Sequence, residues 1–395
     1  MSSDSDPLAD PRLESMVSAM ERDLPWIPAD QVETPVAVVD LRRVAANAHN
    51  TVQRLAAHGL AWRPHVKTHK SREMTRLQLA AGAQGLTVAT LREAEVMADL
   101  CQDLLLAHPP VPGRVRIERL AALLSQGNLT VAVDSSLSVD TLRAAARDAG
   151  VPAPGAVEVD VGMGRAGVPA PEAAVRLALD LAEGVGTSFR GILFYPGHIR
   201  GGADPATEMR RVSDRVNRMV EALEAVGLTP EMVSGGSTPT LHLSHLVEAS
   251  TEVRAGTCIF HDRDSVSTDA GDEEDLAYWI LSTVVSDAVP GQVVVDAGSK
   301  ALAKESFRGD GPGYGRLMDQ PGVLVDRLSE EHGILDLAEG EWRPALGDRV
   351  RIIPNHVCVS VNLQDRLLAV DDDRSGYRII ALEARGRLPW INPQH

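Results

Sequence analysis

The sequence has few cysteines, no long apolar run and no basic N-terminal region. Only three cysteines occur among its 395 residues, Cys101, Cys258 and Cys358, and they are too few and too scattered for a disulfide framework. A reducing compartment is therefore the simpler expectation. No apolar stretch is long enough to span a bilayer, and nothing in the first residues is typical of a secretion signal. These absences predict a soluble, cytoplasmic protein.

The chain also lacks an excess of positive charge. Its formal net charge is −16, from 39 basic and 55 acidic residues. A charge of this sign argues against nucleic acid or an anionic membrane as the main partner. A small anionic ligand stays open, because such a ligand responds only to its local site. We expect a small-molecule substrate, with no nucleic acid and no membrane as partner.

Short apolar runs alternate with stretches of helical period between residues 34 and 262. Strands that alternate with helices form parallel βαβ units, and eight such units close a (β/α)₈ barrel. We therefore predict an N-terminal arm at 1–33 and an α/β barrel of TIM type at 34–262. After a lone strand at Val36–Asp40, the predicted barrel strands are Ala61–Lys67, Gly85–Ala89, Asp103–Ala107, Leu129–Val133, Ala156–Asp160, Gly191–Tyr195, Glu231–Ser234 and Thr251–Arg254.

The pattern changes after Asp262, where β-branched runs follow one another without long helices and are punctuated by Gly and Pro. This composition predicts a second, mostly β domain at 263–395. The lone strand at 36–40 is a candidate to pair with it. The predicted strands are Ile280–Val285, Gln292–Asp296, Val323–Arg327, Asp348–Ile353, Leu367–Ala369 and Tyr377–Leu382.

Glycine-rich segments follow the seventh and eighth predicted barrel strands. The segment that begins Ser234-Gly235-Gly236 comes after strand seven, and Gly256-Thr257 comes after strand eight. The active site of a barrel enzyme lies at the carboxyl ends of its strands, and a phosphate often binds after strands seven and eight. Glycine allows backbone N–H groups to approach an anion. The segment is either a phosphate cup or a plain turn.

Lys67 lies at the end of the first predicted barrel strand, in the stretch Arg63-Pro-His-Val-Lys-Thr-His-Lys70. A lysine that points into a barrel mouth can act as a nucleophile, whereas most lysines only cover surface with their stems. A lysine that faces a phosphate site suggests pyridoxal phosphate, which needs both. Arg165 and Tyr195, after strands five and six, would then flank the cofactor ring.

The second domain contains the motif Asn355-His-Val-Cys358, which follows a predicted strand. On a strand, His356 and Cys358 would face the same side, because residues two apart do so. Zinc accepts both donors, and a thiolate favours zinc over magnesium or calcium. Two protein ligands leave positions for water and substrate, as a catalytic metal requires. The alternative is a packed cysteine beside a hydrogen-bonded histidine.

In this order the motifs form a specific set, and the chain resembles a family of pyridoxal-phosphate enzymes with an alanine-racemase-like barrel, known as fold type III. The group that it resembles contains the D-serine dehydratases and the D-threonine aldolases. The resemblance extends from Thr34 to Ala369. It is carried by the segments 63–70, Thr87-Val-Ala-Thr90, Glu158-Val-Asp-Val-Gly-Met-Gly-Arg165, 233–239, Asp296-Ala-Gly-Ser-Lys-Ala301, Glu331-His-Gly333 and 355–358.

The resemblance implies that Lys67 bonds pyridoxal phosphate and that His356 and Cys358 hold a divalent metal. Aldolases of the family tend to carry Asp, with manganese or a similar ion, where this chain has Cys358. The zinc enzymes with Cys are dehydratases, so zinc and dehydration are favoured here. The other residues implied to surround the cofactor are Thr90, Arg165, Tyr195, Ser234, Gly235, Gly236, Gly256 and Thr257.

The implied activity is a lyase reaction on a β-hydroxy-D-amino acid that gives a 2-oxo acid and ammonia. Aldolase-type cleavage to glycine and an aldehyde is the alternative, because both reactions need a metal on the same hydroxyl group. A racemase would have no use for that metal, and a non-catalytic carrier of the cofactor would lack the β domain. Both are remote alternatives. A homodimer is expected by analogy alone.

Overall fold

The computed structural model describes residues 11–127, 129–200, 202, 204–337, 342–370 and 375–391. The helices are α1 (Pro11–Asp23), α2 (Leu41–Ala56), α3 (Arg72–Ala81), α4 (Leu91–Met97), α5 (Arg114–Leu124), α6 (Ser136–Ala149), α7 (Pro171–Glu183), α8 (Pro205–Glu224), α9 (Arg263–Val266), α10 (Ser299–Leu302) and α11 (Val357–Leu363). The strands are β1 (Trp26–Pro28), β2 (Val36–Val39), β3 (Ala61–Trp62), β4 (Leu86–Val88), β5 (Leu104–Leu106), β6 (Leu129–Val133), β7 (Ala153–Val159), β8 (Thr187–Phe194), β9 (Met232–Gly235), β10 (Glu252–Val253), β11 (Tyr278–Ser286), β12 (Gln292–Val295), β13 (Gly315–Leu317), β14 (Val325–Leu328), β15 (Gly333–Asp336), β16 (Arg349–Pro354), β17 (Arg366–Val370) and β18 (Gly376–Ala381).

The chain divides into two compact units. One, the barrel unit, comprises Thr51–Lys67, Gln78–Gly256 and the residues from Ala384 on. The other, the sheet unit, comprises the residues up to Asn50, Thr68–Leu77 and Thr257–Glu383. The predicted division into 34–262 and 263–395 thus differs from these units. Residues 34–50, 68–77 and 257–262 group with the sheet unit, and residues 384–391 group with the barrel unit.

The barrel unit is a ring of eight parallel strands. Their order is β3-β10-β9-β8-β7-β6-β5-β4, and a parallel bridge between His65 and Thr87 joins the segment after β3 to β4. Strands β5 and β6 are buried along their whole length. Strands buried on both faces carry continuous apolar runs. All eight predicted barrel strands are therefore confirmed, although the first ends at Trp62, earlier than predicted.

A partly buried ion-pair network stabilises the barrel unit. Arg63, directly after β3, places Nε 2.7 Å from Glu252 Oε1 and Nη2 2.7 Å from Asp103 Oδ2. Arg190 places Nη1 2.8 Å from Asp103 Oδ1. Burial alone would raise the pKa of Asp103, but hydrogen bonds and charge from the two arginines outweigh it and lower the pKa to about 2. The carboxylate of Asp103, directly before β5, therefore forms ion pairs with Arg190 in β8 and with Arg63 after β3.

Replacing Asp103 with Asn is expected to lower the free energy of unfolding by roughly 2 kcal/mol, because it leaves the buried Arg63 without one counter-charge. The folded-state pKa of Asp103 is depressed, so its stabilising effect is full above the unfolded value and is lost as pH falls towards about 2. Denaturant unfolding at several pH values checks this. A difference between wild type and variant that persists undiminished below pH ~3 contradicts it.

The sheet unit has a sheet in the order β1-β18-β17-β2-β11-β12-β15-β14, with β16 paired to β11 and β13. Strand β2 pairs antiparallel with β11 and parallel with β17. The lone early strand therefore joins the second domain, as the sequence suggested. The six strands predicted for this domain are all present, with small differences at their ends.

The N-terminal segment is more ordered than the predicted arm. Residues Pro11–Asp23 form α1, and Trp26–Pro28 form β1, which pairs antiparallel with β18. A run of only three residues has no periodicity of its own, and its strand conformation comes from this pairing. Among the helices of the described ranges, none is both long enough and apolar enough to cross a membrane.

Candidate active site

Lys67 lies in the barrel unit, in a short 3₁₀ turn at Val66–Thr68 that follows β3. The sequence placed it inside the first strand, and this was wrong, because the ladder to β10 includes only Ala61 and Trp62. Its Nζ atom lies 5.9 Å from the centroid of the Tyr195 ring. Lys67 and Tyr195, far apart in sequence, thus meet at the carboxyl ends of β3 and β8.

Arg165 packs against the same aromatic ring. Its Cζ atom lies 4.5 Å from the centroid of Tyr195, and Nη2 lies 3.4 Å from Oε1 of the buried Glu158 in β7. A guanidinium that stacks on an aromatic face is oriented by the ring. The barrel unit therefore brings Lys67, Arg165 and Tyr195 together as the sequence predicted. Their roles towards a cofactor stay predictions.

Gly235 and Gly236 are required by the backbone at the end of β9. A Cβ atom at Gly235 would lie 2.1 Å from the Phe194 ring. Gly236 has φ +83°, and a Cβ atom there would lie 2.8 Å from Val253 Cγ1. Only glycine adopts such a conformation at low cost. The segment thus has the close backbone packing that a phosphate cup needs.

The polar groups of this segment fit an anion. Ser234 Oγ is buried and has no hydrogen-bond partner among the described residues. Within the same ranges, the backbone N–H groups of Gly236, Ser237 and Gly256 donate no hydrogen bond to the protein. Buried polar groups without partners are costly, and a bound phosphate would satisfy a hydroxyl and several amides at once. The residues present therefore fit the phosphate of pyridoxal phosphate.

Replacing Ser234 with Ala should separate cofactor binding from folding. The hydroxyl makes no bond within the described protein, so its removal should leave the unfolding free energy of the cofactor-free protein within about 0.5 kcal/mol of wild type or raise it. The affinity for pyridoxal phosphate should fall roughly 10-fold or more, because a hydrogen bond to a charged group is lost. Fluorescence titration with the cofactor measures this.

Ser237 provides the matched control for that prediction. Its Oγ lies 2.9 Å from Thr240 Oγ1, so Ser237→Ala removes a bond within the protein. This variant should lose about 1 kcal/mol of stability while its hydroxyl contributes little to cofactor affinity. If Ser234→Ala behaved like Ser237→Ala, the phosphate role of Ser234 would be wrong.

The structure adds Arg254, which the sequence did not single out. It follows β10, two residues before Gly256, and is buried. Its Nη2 donates a 2.6 Å hydrogen bond to Phe194 O, while its Nε has no partner in the described structure. Burial lowers the pKa of Arg254, although the charges of Glu158 and Glu252 oppose that shift. A basic residue two positions before the eighth-strand glycine is the signal that would have identified it.

The predicted metal ligands lie in the sheet unit. His356 caps α11, and Cys358 lies in the first turn of that helix. The prediction that both lie on a strand was wrong, since β16 ends at Pro354. The two side chains are nevertheless close enough for Cys358 to raise the pKa of His356. A helix start thus brings the two donors together where a strand was expected.

Cys358 lies against two threonine hydroxyl groups, and His356 has a raised pKa. Cys358 Sγ lies 3.3 Å from Thr68 Oγ1 and 3.4 Å from Thr257 Oγ1. Burial would lower the pKa of His356, but the charge of Cys358, their hydrogen bond and the charge of Asp262 outweigh it and raise the pKa to about 9. Imidazole and thiolate are donors that zinc accepts, so this pair fits a divalent metal.

Thr90 and Thr257, two predicted cofactor-binding residues, form hydrogen bonds within the protein. Thr90 caps α4, and its Oγ1 accepts a 3.1 Å hydrogen bond from Glu93 N. Thr257 places its hydroxyl against Cys358 in the sheet unit. Their contacts with a cofactor stay predictions. The described chain holds no group of three or more histidine, cysteine, aspartate or glutamate side chains arranged to bind a metal.

Helix α11 is fixed to the rest of the sheet unit through Ser360. Its Oγ donates a 2.8 Å hydrogen bond to Ala301 O in α10 and lies 2.9 Å from the Tyr278 hydroxyl. All three groups are buried. Ala301 is the last residue of the motif that begins at Asp296, so this motif supports the helix that carries the predicted metal ligand Cys358.

Comparison with known proteins gives matches over most of the chain. The family model described as alanine racemase, N-terminal domain, matches residues 39–264, and a serine dehydratase domain model matches residues 277–370. The D-threo-3-hydroxyaspartate dehydratase of Delftia sp. (strain HT23) is 35% identical, with 83% of this chain and 92% of that protein covered. The 3-hydroxy-D-aspartate aldolase of Paracoccus denitrificans (strain Pd 1222) is 32% identical, with 88% and 91% covered. The crystal structure of D-threonine aldolase from Filomicrobium marinum superposes with a TM-score of 0.84 at 30% identity, over 91% of this chain and 98% of that one.

Proposed function

The chain belongs to the pyridoxal-phosphate-dependent lyase family of D-serine dehydratases and D-threonine aldolases, and on that premise we propose that it dehydrates a β-hydroxy-D-amino acid. Loss of the α-proton and the β-hydroxyl, followed by hydrolysis, gives a 2-oxo acid and ammonia. The observation that carries this proposal is the start of α11, where His356 occupies the N-cap position and Cys358 lies in the first turn. In the family that the chain resembles, cysteine at this position accompanies dehydration.

The substrate class follows from the names of two relatives. The Delftia relative is a dehydratase of D-threo-3-hydroxyaspartate, and the Paracoccus relative is an aldolase of 3-hydroxy-D-aspartate. Both names share one amino acid, of D configuration and with a second carboxylate. We propose a 3-hydroxy-D-aspartate as the first substrate to test, before D-serine and D-threonine.

Residues of the barrel unit would hold the cofactor. Pyridoxal phosphate, when bound, supplies an electron sink for the bonds at the α-carbon of an amino acid. Lys67 would bond the cofactor through Nζ and, once displaced by the substrate amine, take the α-proton on that same atom. Ser234 and the N–H groups of Gly236 and Gly256 would hold the phosphate. Tyr195 would face the ring with a phenol in place of a carboxylate.

Residues of the sheet unit would hold the metal. Zinc, when bound, supplies a Lewis acid that makes a hydroxyl group a better leaving group. His356 and Cys358 would provide two ligands, and two protein ligands leave positions open for water and the substrate hydroxyl. A phenol beside the cofactor ring makes a weaker electron sink, so assistance at the leaving group has a chemical purpose here.

Retro-aldol cleavage to glycine and an aldehyde is the second candidate. It is favoured by the Paracoccus relative and by the structural similarity to the Filomicrobium aldolase, at a TM-score of 0.84. In that reaction the hydroxyl proton leaves and the Cα–Cβ bond breaks. Both reactions would use the cofactor and a metal on the same hydroxyl group, and they differ in their products.

A substrate panel tests the D specificity and the metal dependence of the proposed reaction. The cofactor- and zinc-loaded protein is incubated with the D and L forms of 3-hydroxyaspartate, serine and threonine, and consumption of each is followed with and without a chelator. Metal-dependent consumption of D forms alone is the expected result. Equal consumption of D and L forms, or consumption unaffected by the chelator, would contradict it.

A further inference from the structure

Asp264 has a carboxylate oxygen that the described protein leaves unsatisfied. The residue lies in α9 and is 8% exposed. Its Oδ2 atom is buried and has no hydrogen-bond partner within the described ranges. The same atom lies 3.8 Å from His356 Nδ1. A buried acceptor without a partner, close to a ring nitrogen, calls for an explanation.

The neighbouring carboxylate of Asp262 is already satisfied by the backbone. Its Oδ1 accepts a 2.8 Å hydrogen bond from Ser265 N, and its Oδ2 accepts a 2.9 Å bond from Val357 N. That Oδ2 atom also lies 3.6 Å from His356 Nδ1. Asp262 therefore holds the start of α11 through both of its oxygens, whereas Asp264 Oδ2 is the oxygen beside the imidazole that accepts no hydrogen bond within the described ranges.

The other contacts of Asp264 leave Oδ2 open. Its Oδ1 accepts a 3.0 Å hydrogen bond from Arg308 N, and its own N–H donates to Asn355 O over 3.1 Å. Arg308 Nε lies 3.6 Å from Oδ2, beyond hydrogen-bond distance. Two roles are therefore available to this oxygen: an ion pair with Arg308, or a hydrogen bond with His356.

Both neighbours lie beyond hydrogen-bond distance of Oδ2, at 3.6 Å for Arg308 Nε and 3.8 Å for His356 Nδ1, and the chemistry of a metal ligand favours His356. Its Nδ1 faces two carboxylates, which leaves Nε2 as the nitrogen free to bind a metal. A histidine that ligates a metal almost always donates its other ring N–H to a carboxylate, a carbonyl or water, and this fixes the ring. An approach of roughly 1 Å would bring Nδ1 and Oδ2 to hydrogen-bond distance.

We propose that Asp264 is the positioning residue of the metal site: its Oδ2 accepts the Nδ1–H of His356 when Nε2 and Cys358 Sγ bind the metal. This inference rests on the metal pair named under the proposed function. It assigns to Asp264 no contact with substrate or metal. Its effect is to select the tautomer of His356 and to hold the ring in line with the thiolate.

Zinc affinity tests the proposal in full-length protein loaded with pyridoxal phosphate and stripped of metal. The dissociation constant is measured by competition with a chromophoric chelator for wild type, Asp264→Ala, Asp264→Asn and Arg308→Ala. Asp264→Ala should bind zinc about 10–100-fold more weakly, the usual effect of removing such a partner. Asp264→Asn retains an acceptor oxygen and should fall between Ala and wild type. Arg308→Ala should bind zinc as wild type does.

The absorption spectrum of the cobalt-loaded protein is a second readout, and it would not change if Asp264 only stabilised the fold. In Asp264→Ala the cobalt-loaded protein should keep the thiolate charge-transfer band of Cys358, while the ligand-field bands shift because the imidazole is no longer fixed. Wild-type zinc affinity with an unchanged cobalt spectrum in Asp264→Ala would overturn the proposal. An equal loss of affinity in Arg308→Ala would overturn it as well, since the ion pair would then be responsible.

Two further comparisons complete the design. If Asp264→Ala does not fold, Asp264→Asn decides: reduced zinc affinity supports the proposal and wild-type affinity overturns it. His356→Ala and Cys358→Ala are titrated alongside and should lose more affinity than any Asp264 variant. Wild-type affinity in those two variants would show that the metal binds elsewhere, and would overturn the metal assignment together with this inference. Failure of Asp264 alone would leave the metal assignment intact.

Discussion

Replacing Lys67 with alanine is expected to remove the visible absorbance of the protein-bound cofactor and to lower kcat/KM by at least about 10³-fold. Proton transfer by a positioned group contributes roughly 10²–10⁴-fold by itself, and the same variant also loses the covalent attachment of the cofactor. The structural reason is the position of Nζ, 5.9 Å from the Tyr195 ring at the carboxyl ends of the barrel strands. Absorbance and steady-state assays of the loaded protein measure both effects.

The small number of lysines in the chain allows the attachment site of the cofactor to be identified by peptide mapping. The sequence contains four lysines, Lys67, Lys70, Lys300 and Lys304. Borohydride reduction followed by peptide mapping should find the cofactor on Lys67 alone. The exposed Lys304 is the control, and Lys304→Ala should keep the wild-type absorbance and activity. Cofactor found on Lys70, or absorbance that persists in Lys67→Ala, would show that the assignment is wrong.

Replacing Cys358 with alanine is expected to remove tightly bound metal and, with it, nearly all activity. Loss of one of two protein ligands should weaken metal binding by more than the roughly 10–100-fold that changes outside the ligand set cause. Metal analysis after gel filtration measures the content. Added zinc should restore activity only at concentrations far above those that saturate the wild type.

Cys101→Ala serves as the matched control, because Cys101 is a buried free cysteine of the barrel unit and should leave the zinc content unchanged. Cys358→Asp is informative in the opposite direction. A carboxylate is a harder ligand than a thiolate, so this variant should gain activity with manganese relative to zinc. A full zinc complement in Cys358→Ala would contradict the metal assignment.

The barrel was predictable because strands that are buried on both faces are apolar at nearly every position. Strands β5 and β6 are apolar at nearly every position and lie between amphipathic helices, which is the pattern of a parallel sheet covered on both faces. The exception is the start of the ring. After Trp62 the chain leaves the ladder with β10, so Lys67 stands on a 3₁₀ turn. Sequence alone did not indicate where that ladder ends.

The pairing of His356 and Cys358 was predicted for a partly wrong reason. Alternation along a strand placed His356 and Cys358 on one face, whereas a helix begins between them. Its first N–H group, that of Val357, donates to Asp262, which lies far away in sequence. The supporting carboxylates, Asp262 and Asp264, were missed for the same reason. Their roles depend on tertiary contacts that carry no local pattern.

The most direct test of the central claim is the ratio of products from D-threo-3-hydroxyaspartate. Ammonia, 2-oxo acid, glycine and aldehyde are measured in one reaction of the cofactor- and zinc-loaded protein. The account predicts equal amounts of ammonia and 2-oxo acid, and no glycine. Glycine with an equal amount of aldehyde would contradict it and would show that cysteine at the metal does not dictate dehydration.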